Sequence, residues 1–313
     1  MIHTFIWQAM GTEYQLHLIE ADLIRAEAIA DALREEVKRL ERQLSLYQPD
    51  SDLCYLNAHA ARAPVRVEPG LFQLLQTCKT LWEQTDGAFD PTVTPLLRLW
   101  GFVDHRYRLP SPEEIADALE RVGMEWVLLE PEGRWVYYGR EGVELSFGAI
   151  GKGWAIARCV HLLKQYEVAT ALLSAGGSTL YALGAPPDSD GWTVEIPYPE
   201  GEEAKKTLPS GGRVGVRGQI SEREERVDVI FLRDCAFSTS GSTEQFFEVD
   251  GKRYAHILDP RTGYPAEKLL SVSICAPDPT LADALSTALF VGGQPLITRW
   301  RQQHPQWQIW HFP

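Results

Sequence analysis

Between His256 and Thr287 the chain has little conformational choice. The run Asp259-Pro260-Arg261-Thr262-Gly263 is turn chemistry: Asp can bond the backbone ahead of it, Pro fixes φ, and Gly supplies a positive φ. The apolar pair Ile257 and Leu258 precedes this turn, which predicts His256 held at a strand end. An apolar strand follows, and then Leu281, Ala284, Leu285, Ala288 and Leu289 recur at helical spacing. Asp283 and Thr287 share one face of that helix, where both oxygens can meet one hard cation. Oxygen ligation with room left for water and phosphate is what Mg²⁺ takes. Plainer roles stand beside these. Thr280 followed by Asp283 is close to a capping box, an acid in a first helical turn suits the macrodipole, and His256 can be a turn anchor.

The rest of the chain supplies alternating strands and helices. Residues 5–18 read as two strands broken at Met10-Gly11-Thr12. Residues 22–44 read as a long amphipathic helix, with Leu23, Ala26, Ile29, Ala30, Leu33, Val37, Leu40 and Leu44 on one stripe. The loop after it carries Tyr47, a ring that can stack on a ligand or sit in the core. Residues 69–85 read as a second helix burying Leu71, Leu74, Leu75, Cys78, Leu81 and Trp82. Residues 85–96, with two prolines and a glycine, predict an irregular but ordered segment. A short helix with a Ser cap and Pro at its first position is expected over 111–123, then a hairpin over 127–138.

Residues 144–153 form a Gly-rich turn from strand into helix, a geometry that offers N–H groups to an anion. Its spacing matches neither a Walker loop nor a Rossmann fingerprint. Residues 170–178 predict a buried strand ending in a Gly pair, and 185–226 predict strands joined by a mobile surface loop. Residues 237–242 read as a hydroxyl-rich turn able to cradle a phosphate, and 295–313 as a short helix and a final Trp-rich strand. The sum is an α+β fold in a single domain spanning 1–313.

Charge and cysteine usage narrow the function classes. A net charge of −13 argues against a nucleic-acid partner, which would need a basic patch. A phosphate-bearing ligand would then need a local remedy, a metal or helix N-termini. The 5 cysteines contain no C-x-x-C pair, which excludes a zinc site of that type and fits a reducing compartment. No run reaches the ~18 apolar residues of a membrane span, and the first residues lack the basic and apolar regions of a signal peptide. As the sequence stands it reads as cytoplasmic.

The segments 256–265 and 282–289 together resemble the signature of the ApbE family, the FAD:protein FMN transferases. The resemblance recurs in order through Met10-Gly11-Thr12, the Tyr47 segment, Gly87-Ala88-Phe89-Asp90-Pro91-Thr92, Leu99-Trp100-Gly101-Phe102, the 148–153 turn and the Thr239-Ser240-Gly241 segment. It implies a T-fold-like domain of mixed β-sheets flanked by helices. The implied reaction is Mg²⁺-dependent transfer of FMN from FAD, through a phosphoester bond, to a Thr hydroxyl of an acceptor flavoprotein, releasing AMP. The acceptor would carry an Asp-x-x-Ser/Thr-Gly-Ala/Ser-Thr type motif. By the same resemblance Met10, Tyr47, Ala88, Phe89, Asp90, Glu144, Lys152, His256 and Ile257 contact FAD, with Trp100 beside them. Asp283, Thr287 and the Ala149 carbonyl would hold Mg²⁺, and His256 would take the proton of the incoming Thr.

Two positions depart from the family pattern: Glu144 and Ser178 each stand where Asp is usual. Phe237 replaces the Asp that opens an acceptor motif, so self-modification at Thr243 is not expected. Many family members are exported lipoproteins, and no lipobox cysteine precedes the domain here. An FAD pyrophosphatase giving FMN and AMP, and a non-catalytic FAD-binding protein, are the alternatives the same residues allow.

Overall fold

The structure is a computed structural model, and it describes residues 1–197, 214–215, 227–242 and 245–313. The loop expected as mobile between the strands of 185–226, and Thr243, lie outside the described residues.

The chain begins as a hairpin. Strands β1 (Ile2–Ala9) and β2 (Thr12–Ile19) pair antiparallel across Met10 and Gly11, both at positive φ (50° and 70°), as a two-residue turn requires. Helix α1 (Leu23–Leu44) starts from an Asp22 cap and buries the expected stripe from Ala26 to Leu44. Leu23 departs from it and is exposed, because the first turn overhangs the core. Then come α2 (Asp52–His59), the short β3 (Val65–Arg66), α3 (Pro69–Gln84) and α4 (Thr94–Leu99), which ends the irregular 85–96 segment. Helix α5 (Pro112–Leu119) opens with a complete Ser111–Glu114 capping box. Strands β4 (Val127–Glu130) and β5 (Trp135–Tyr138) form the expected hairpin, with β3 on its edge.

Helix α6 (Gly151–Gln165) leads to β6 (Ala171–Ala175) and β7 (Thr179–Leu183), separated by Gly176 and Gly177 at positive φ. Strands β8 (Trp192–Pro197), β9 (Val214–Gly215) and β10 (Val227–Leu232) make a small separate sheet. After β11 (Cys235–Gly241), β12 (Phe246–Val249), β13 (Lys252–Ala255) and β14 (Ser271–Ala276), helix α7 (Pro279–Gln303) runs to β15 (Gln308–Phe312). A kink at Gly293, two residues before Pro295, divides α7 and marks the start of the tail helix expected from sequence.

Seven antiparallel strands, in the order β1-β2-β6-β7-β11-β14-β15, form the central sheet, so the first and last strands of the chain are its two edges. Helices α6 and α7 cover one face. The small sheet covers the middle of the other: Trp192, Val194 and Ile196 pack with Leu172, Leu180, Ala182 and Phe237. Covering on both sides explains why β6 and β7 are buried at every position. It also singles out Thr179, Ser238 and Ser240, which are buried yet polar on the face that meets α7.

Candidate active site

One open cleft of about 240 Å³ gathers ten of the thirteen residues singled out above: Tyr47, Ala88, Phe89, Asp90, Ala149, Lys152, His256, Ile257, Asp283 and Thr287. That volume is at the small end for ligand sites, so a dinucleotide-sized ligand must extend past the mouth. Tyr47 stands there, 70% exposed, which excludes the core role for its ring. Met10, Glu144 and Trp100 lie outside the lining residues. The Met10 sulfur lies 3.2 Å from the Tyr14 hydroxyl that donates to it. Glu144 is paired with Arg98 at 2.5 and 2.7 Å.

The His256 wall is built by its turn. Asp259 accepts from the Arg261 backbone N–H at 3.0 Å and from its guanidinium at 2.8 and 2.7 Å. Its backbone carbonyl takes the N–H groups of Thr262 and Gly263, and its own N–H reaches the Tyr264 carbonyl. Gly263 adopts φ 77°, and a Cβ there would run into Ile115, so glycine is required twice over. Trp100 donates its indole N–H to the Gly263 carbonyl at 2.9 Å and is buried among Phe247, Tyr254 and Tyr264. Trp100 is therefore corrected from a cleft residue to a brace of the turn. At the other end of the segment, His256 Nδ1 lies 3.0 Å from the Gln245 carbonyl. A carbonyl only accepts, so Nδ1 carries the proton, and Nε2 is the basic nitrogen of the neutral ring.

The opposite wall is where α6 and α7 meet. The expected capping box at Thr280 is not formed: the cap of α7 is Asp278, whose side chain accepts from Leu281 N–H at 3.0 Å. Asp283 instead accepts from the Gly153 N–H at 2.8 Å and the Thr179 hydroxyl at 3.0 Å. Gly153 is the third residue of α6, and Ile150, at that helix's cap position, has no side chain to offer. Asp283 thus caps a neighbouring helix, not its own. This requires close approach: a Cβ on Gly153 would land on the Pro279 carbonyl oxygen and 2.6 Å from Asp283 Cβ. Lys152 reaches the cleft from the same turn, with its ammonium 2.6 Å from the Ser178 hydroxyl. Thr287 lies one turn beyond Asp283 and touches Ser240 at 3.0 Å.

Asp90 is buried and accepts from both the N–H and the hydroxyl of Thr92, at 2.8 and 2.5 Å. Burial pushes its carboxyl up to about 6, helped by the charge of Glu125 and opposed by the Thr92 bonds.

Sequence reading missed part of the lining, including Thr239, Ser240, Gln245, Ser146 and Phe102. Residues 237–242 were expected as a turn. Most of them belong instead to β11, because Ala236, Ser238 and Ser240 alternate with residues facing the other layer. The strand carries three consecutive hydroxyls, Ser238, Thr239 and Ser240, a run that suits a turn as well as a strand. Thr179 and Ser286, which support the wall without lining it, gave no sequence signal.

The donor set offered to a cation is one carboxylate, one hydroxyl and one wall position, Ala149, with a backbone carbonyl. All are hard oxygens, and among the described residues no group of three His, Cys, Asp or Glu gathers to hold a metal. Such a set fits Mg²⁺ that keeps waters and phosphate oxygens, and does not fit a softer ion. No helix among the described residues is long and apolar enough to cross a membrane.

The sequence profile of the ApbE family matches residues 10–310. An FAD:protein FMN transferase of Treponema pallidum is 36% identical over 277 residues, 86% of this chain and 73% of that protein. One from Klebsiella pneumoniae is 30% identical over 290 residues, 92% of this chain and 82% of its own. Among solved structures, the ApbE protein of Thermotoga maritima superposes with a TM-score of 0.82 at 32% identity, over 99% of this chain and 94% of that one. The apo flavinyl transferase ApbE of Pseudomonas stutzeri gives 0.83 at 28% identity, over 99% and 90%. Profile, relatives and fold coincide over nearly the whole length, and the chain belongs to the ApbE family.

Proposed function

We propose that this chain is an FAD:protein FMN transferase, acting as one domain over residues 1–313. It would move FMN from FAD to a Thr hydroxyl of an acceptor flavoprotein bearing an Asp-x-x-Ser/Thr-Gly-Ala/Ser-Thr type motif. The observation that carries this is the convergence in one cleft of an oriented imidazole, an ammonium and an oxygen pair suited to a cation. The incoming hydroxyl oxygen forms a bond to the FMN phosphorus. The pyrophosphate P–O bond breaks, and AMP departs with that oxygen.

His256 would accept the hydroxyl proton at Nε2, because Nδ1 is committed to the Gln245 carbonyl. Lys152 would hold a phosphate oxygen, since its Ser178 partner is neutral and leaves the ammonium charge uncompensated. Asp283, Thr287 and the Ala149 carbonyl would hold Mg²⁺, which when bound offsets charge developing on the phosphates. Tyr47 at the mouth would stack on a ring of the ligand, and Ala88, Phe89, Asp90 and Ile257 would line its path. Met10 and Glu144 would act at its margins. An odd number of cysteines with no C-x-x-C pair supports a reducing compartment such as the cytoplasm.

The test is incubation with FAD, Mg²⁺ and a peptide containing Asp-Gly-Ala-Thr-Gly-Ala-Thr, read by intact mass. The expected outcome is a mass gain equal to FMN, abolished by EDTA. Free FMN without any adduct would replace transfer with hydrolysis. Bound FAD with no product at all would leave a binding protein.

A further inference from the structure

Behind Thr287 the α7 helix and strand β11 bury a row of hydroxyls, and their contacts fix which way each proton points. Ser286 lies 2.8 Å from the Asp283 backbone carbonyl. A carbonyl can only accept, so the single Ser286 proton is committed there. Ser240 lies 2.8 Å from Ser286, and with that proton spent Ser240 must be the donor. Thr287 lies 3.0 Å from Ser240. The Ser240 proton is in turn spent, so Thr287 must donate. The order is Thr287 to Ser240 to Ser286 to the Asp283 carbonyl, with each oxygen giving one proton. Burial removes water as an alternative partner at the inner end, where Ser286 is 0% exposed.

The consequence appears at the cleft. Thr287 is half-buried, and its hydroxyl has one proton and two lone pairs. With the proton drawn inward, what faces the cleft is electron pairs alone. A freely rotating threonine would spend part of its time presenting the proton, which repels a cation and invites an anion. The other end of the same helix turn is ordered likewise. Thr179 donates to an Asp283 carboxyl oxygen at 3.0 Å, so Ser238 donates to Thr179 at 3.1 Å, while the longer Ser238–Ser286 contact, 3.4 Å, yields to the 2.8 Å bond from Ser286 to the Asp283 carbonyl.

We infer that Ser240 and Ser286 are positioning residues that lock Thr287 as a lone-pair donor, and so tune the cleft for a hard divalent cation. The inference rests on the cation role proposed for Asp283 and Thr287 and deepens it. It assigns a task to Ser286, which does not line the cleft and touches no ligand.

The test is Mn²⁺ titration, followed by the paramagnetic resonance signal of the free ion, with and without FAD. Residues that orient a metal ligand typically change affinity about 10–100-fold when removed. Ser240→Ala and Ser286→Ala should each weaken Mn²⁺ binding by about 10-fold. Ser286→Ala acts at a distance: it frees the Ser240 proton to turn toward Thr287, which then turns its own proton outward. In a Thr287→Val background, Ser286→Ala should change nothing further, because the oxygen it orients is gone. A role confined to packing would lower the melting temperature and leave Mn²⁺ affinity unchanged, which overturns the inference. If Ser286→Ala does not fold, Ser240→Thr, which keeps the hydroxyl, against Ser240→Val, which removes it, gives the same discrimination. Equal Mn²⁺ binding by wild type and serine variants overturns the relay alone. No Mn²⁺ binding by wild type overturns the cation role and the relay with it.

Discussion

His256 and Thr287 face one cleft, yet they are held there by different means. The His256 wall is held mainly within its own segment: Asp259 bonds Arg261, Thr262, Gly263 and Tyr264, and Gly263 closes the turn, with the Trp100 indole bracing the Gly263 carbonyl from outside. The Thr287 wall is held across the chain. Asp283 reaches Gly153, 130 residues away in sequence, and Thr179, 104 away, while Ser240 reaches Thr287 across 47. A local turn forms from its own sequence, whereas the distant contacts exist only once the sheet and both helices are packed. Damage to the first wall should therefore stay local. Damage to the second should spread to the helix junction.

The largest effect should come from His256→Ala. If the imidazole takes the acceptor's proton, transfer should fall by ~10²–10⁴-fold. FAD binding should persist, because the turn is fixed by Asp259 and not by the ring. A stopped transfer assay alongside FAD titration checks both. Normal transfer with a lowered melting temperature would make His256 a turn anchor only.

Asp90 sharpens the comparison within the locally held part. Like Asp259 it is bonded to its own turn, but its partner is Thr92, where Asp259 has the Arg261 cation. Burial, with no cation beside it to oppose the effect, pushes its carboxyl from 3.8 up to about 6. A raised carboxyl means the folded state holds its proton longer than the unfolded chain. The resulting stability is complete below about 3.8 and is lost as pH rises to about 6. The loss is on the order of 3 kcal/mol. Asp90→Asn keeps the acceptor oxygen and cannot ionise, so its stability should stay flat over that window while wild type declines. Denaturant unfolding at pH 4, 5 and 7 (chosen to span the window) reads the difference. Parallel curves would mean that Asp90 ionises normally in the fold.

The two glycines test the walls directly. Gly153→Ala should cost about 1–3 kcal/mol, because the added methyl group meets backbone that cannot yield. It should also weaken Mn²⁺ binding, since Asp283 is displaced with the helix. Gly263→Ala should cost about 1–2 kcal/mol for its left-handed φ, with about 1–3 kcal/mol more for the contact with Ile115, and leave Mn²⁺ binding unchanged. Thermal unfolding and metal titration on both variants decide whether the walls are separable. Equal loss of metal affinity in both would show one coupled unit.

The same division explains what was legible in the sequence. The Asp-Pro-Arg-Thr-Gly turn, the α1 stripe and the Ser111 cap are written in adjacent residues, so their conformations follow from local chemistry. Asp283 was legible as a candidate ligand, but its bond to Gly153 was not, because a helix-to-helix cap leaves no trace in spacing. Trp100 reads from sequence either as a cleft residue or as core, since an aromatic beside a matching motif looks the same whether it faces a ligand or a turn. Residues 237–242 misled for a related reason. Ser, Thr and Gly together signal a turn, unless another element supplies partners for the hydroxyls, as α7 does here.

The smallest effect should be at Glu144, where the resemblance to the family leads one to expect Asp. Its carboxylate is engaged by Arg98 through two bonds, and both side chains are partly exposed, so the pair is worth at most about 1 kcal/mol. Paired this way, Glu144 is not among the residues that line the cleft. Glu144→Gln should then change stability by less than about 1 kcal/mol and leave FAD affinity within experimental error. Glu144→Asp is the sharper variant. The shorter arm loses the Arg98 pair, and if the Asp of relatives contacts the ligand, this variant alone should bind FAD more tightly. Tighter binding by Asp together with unchanged binding by Gln would mean that Arg98 has drawn this carboxylate out of the site. Weaker binding by Gln would mean that Glu144 contacts FAD from the margin, and that the pair opens when the ligand arrives.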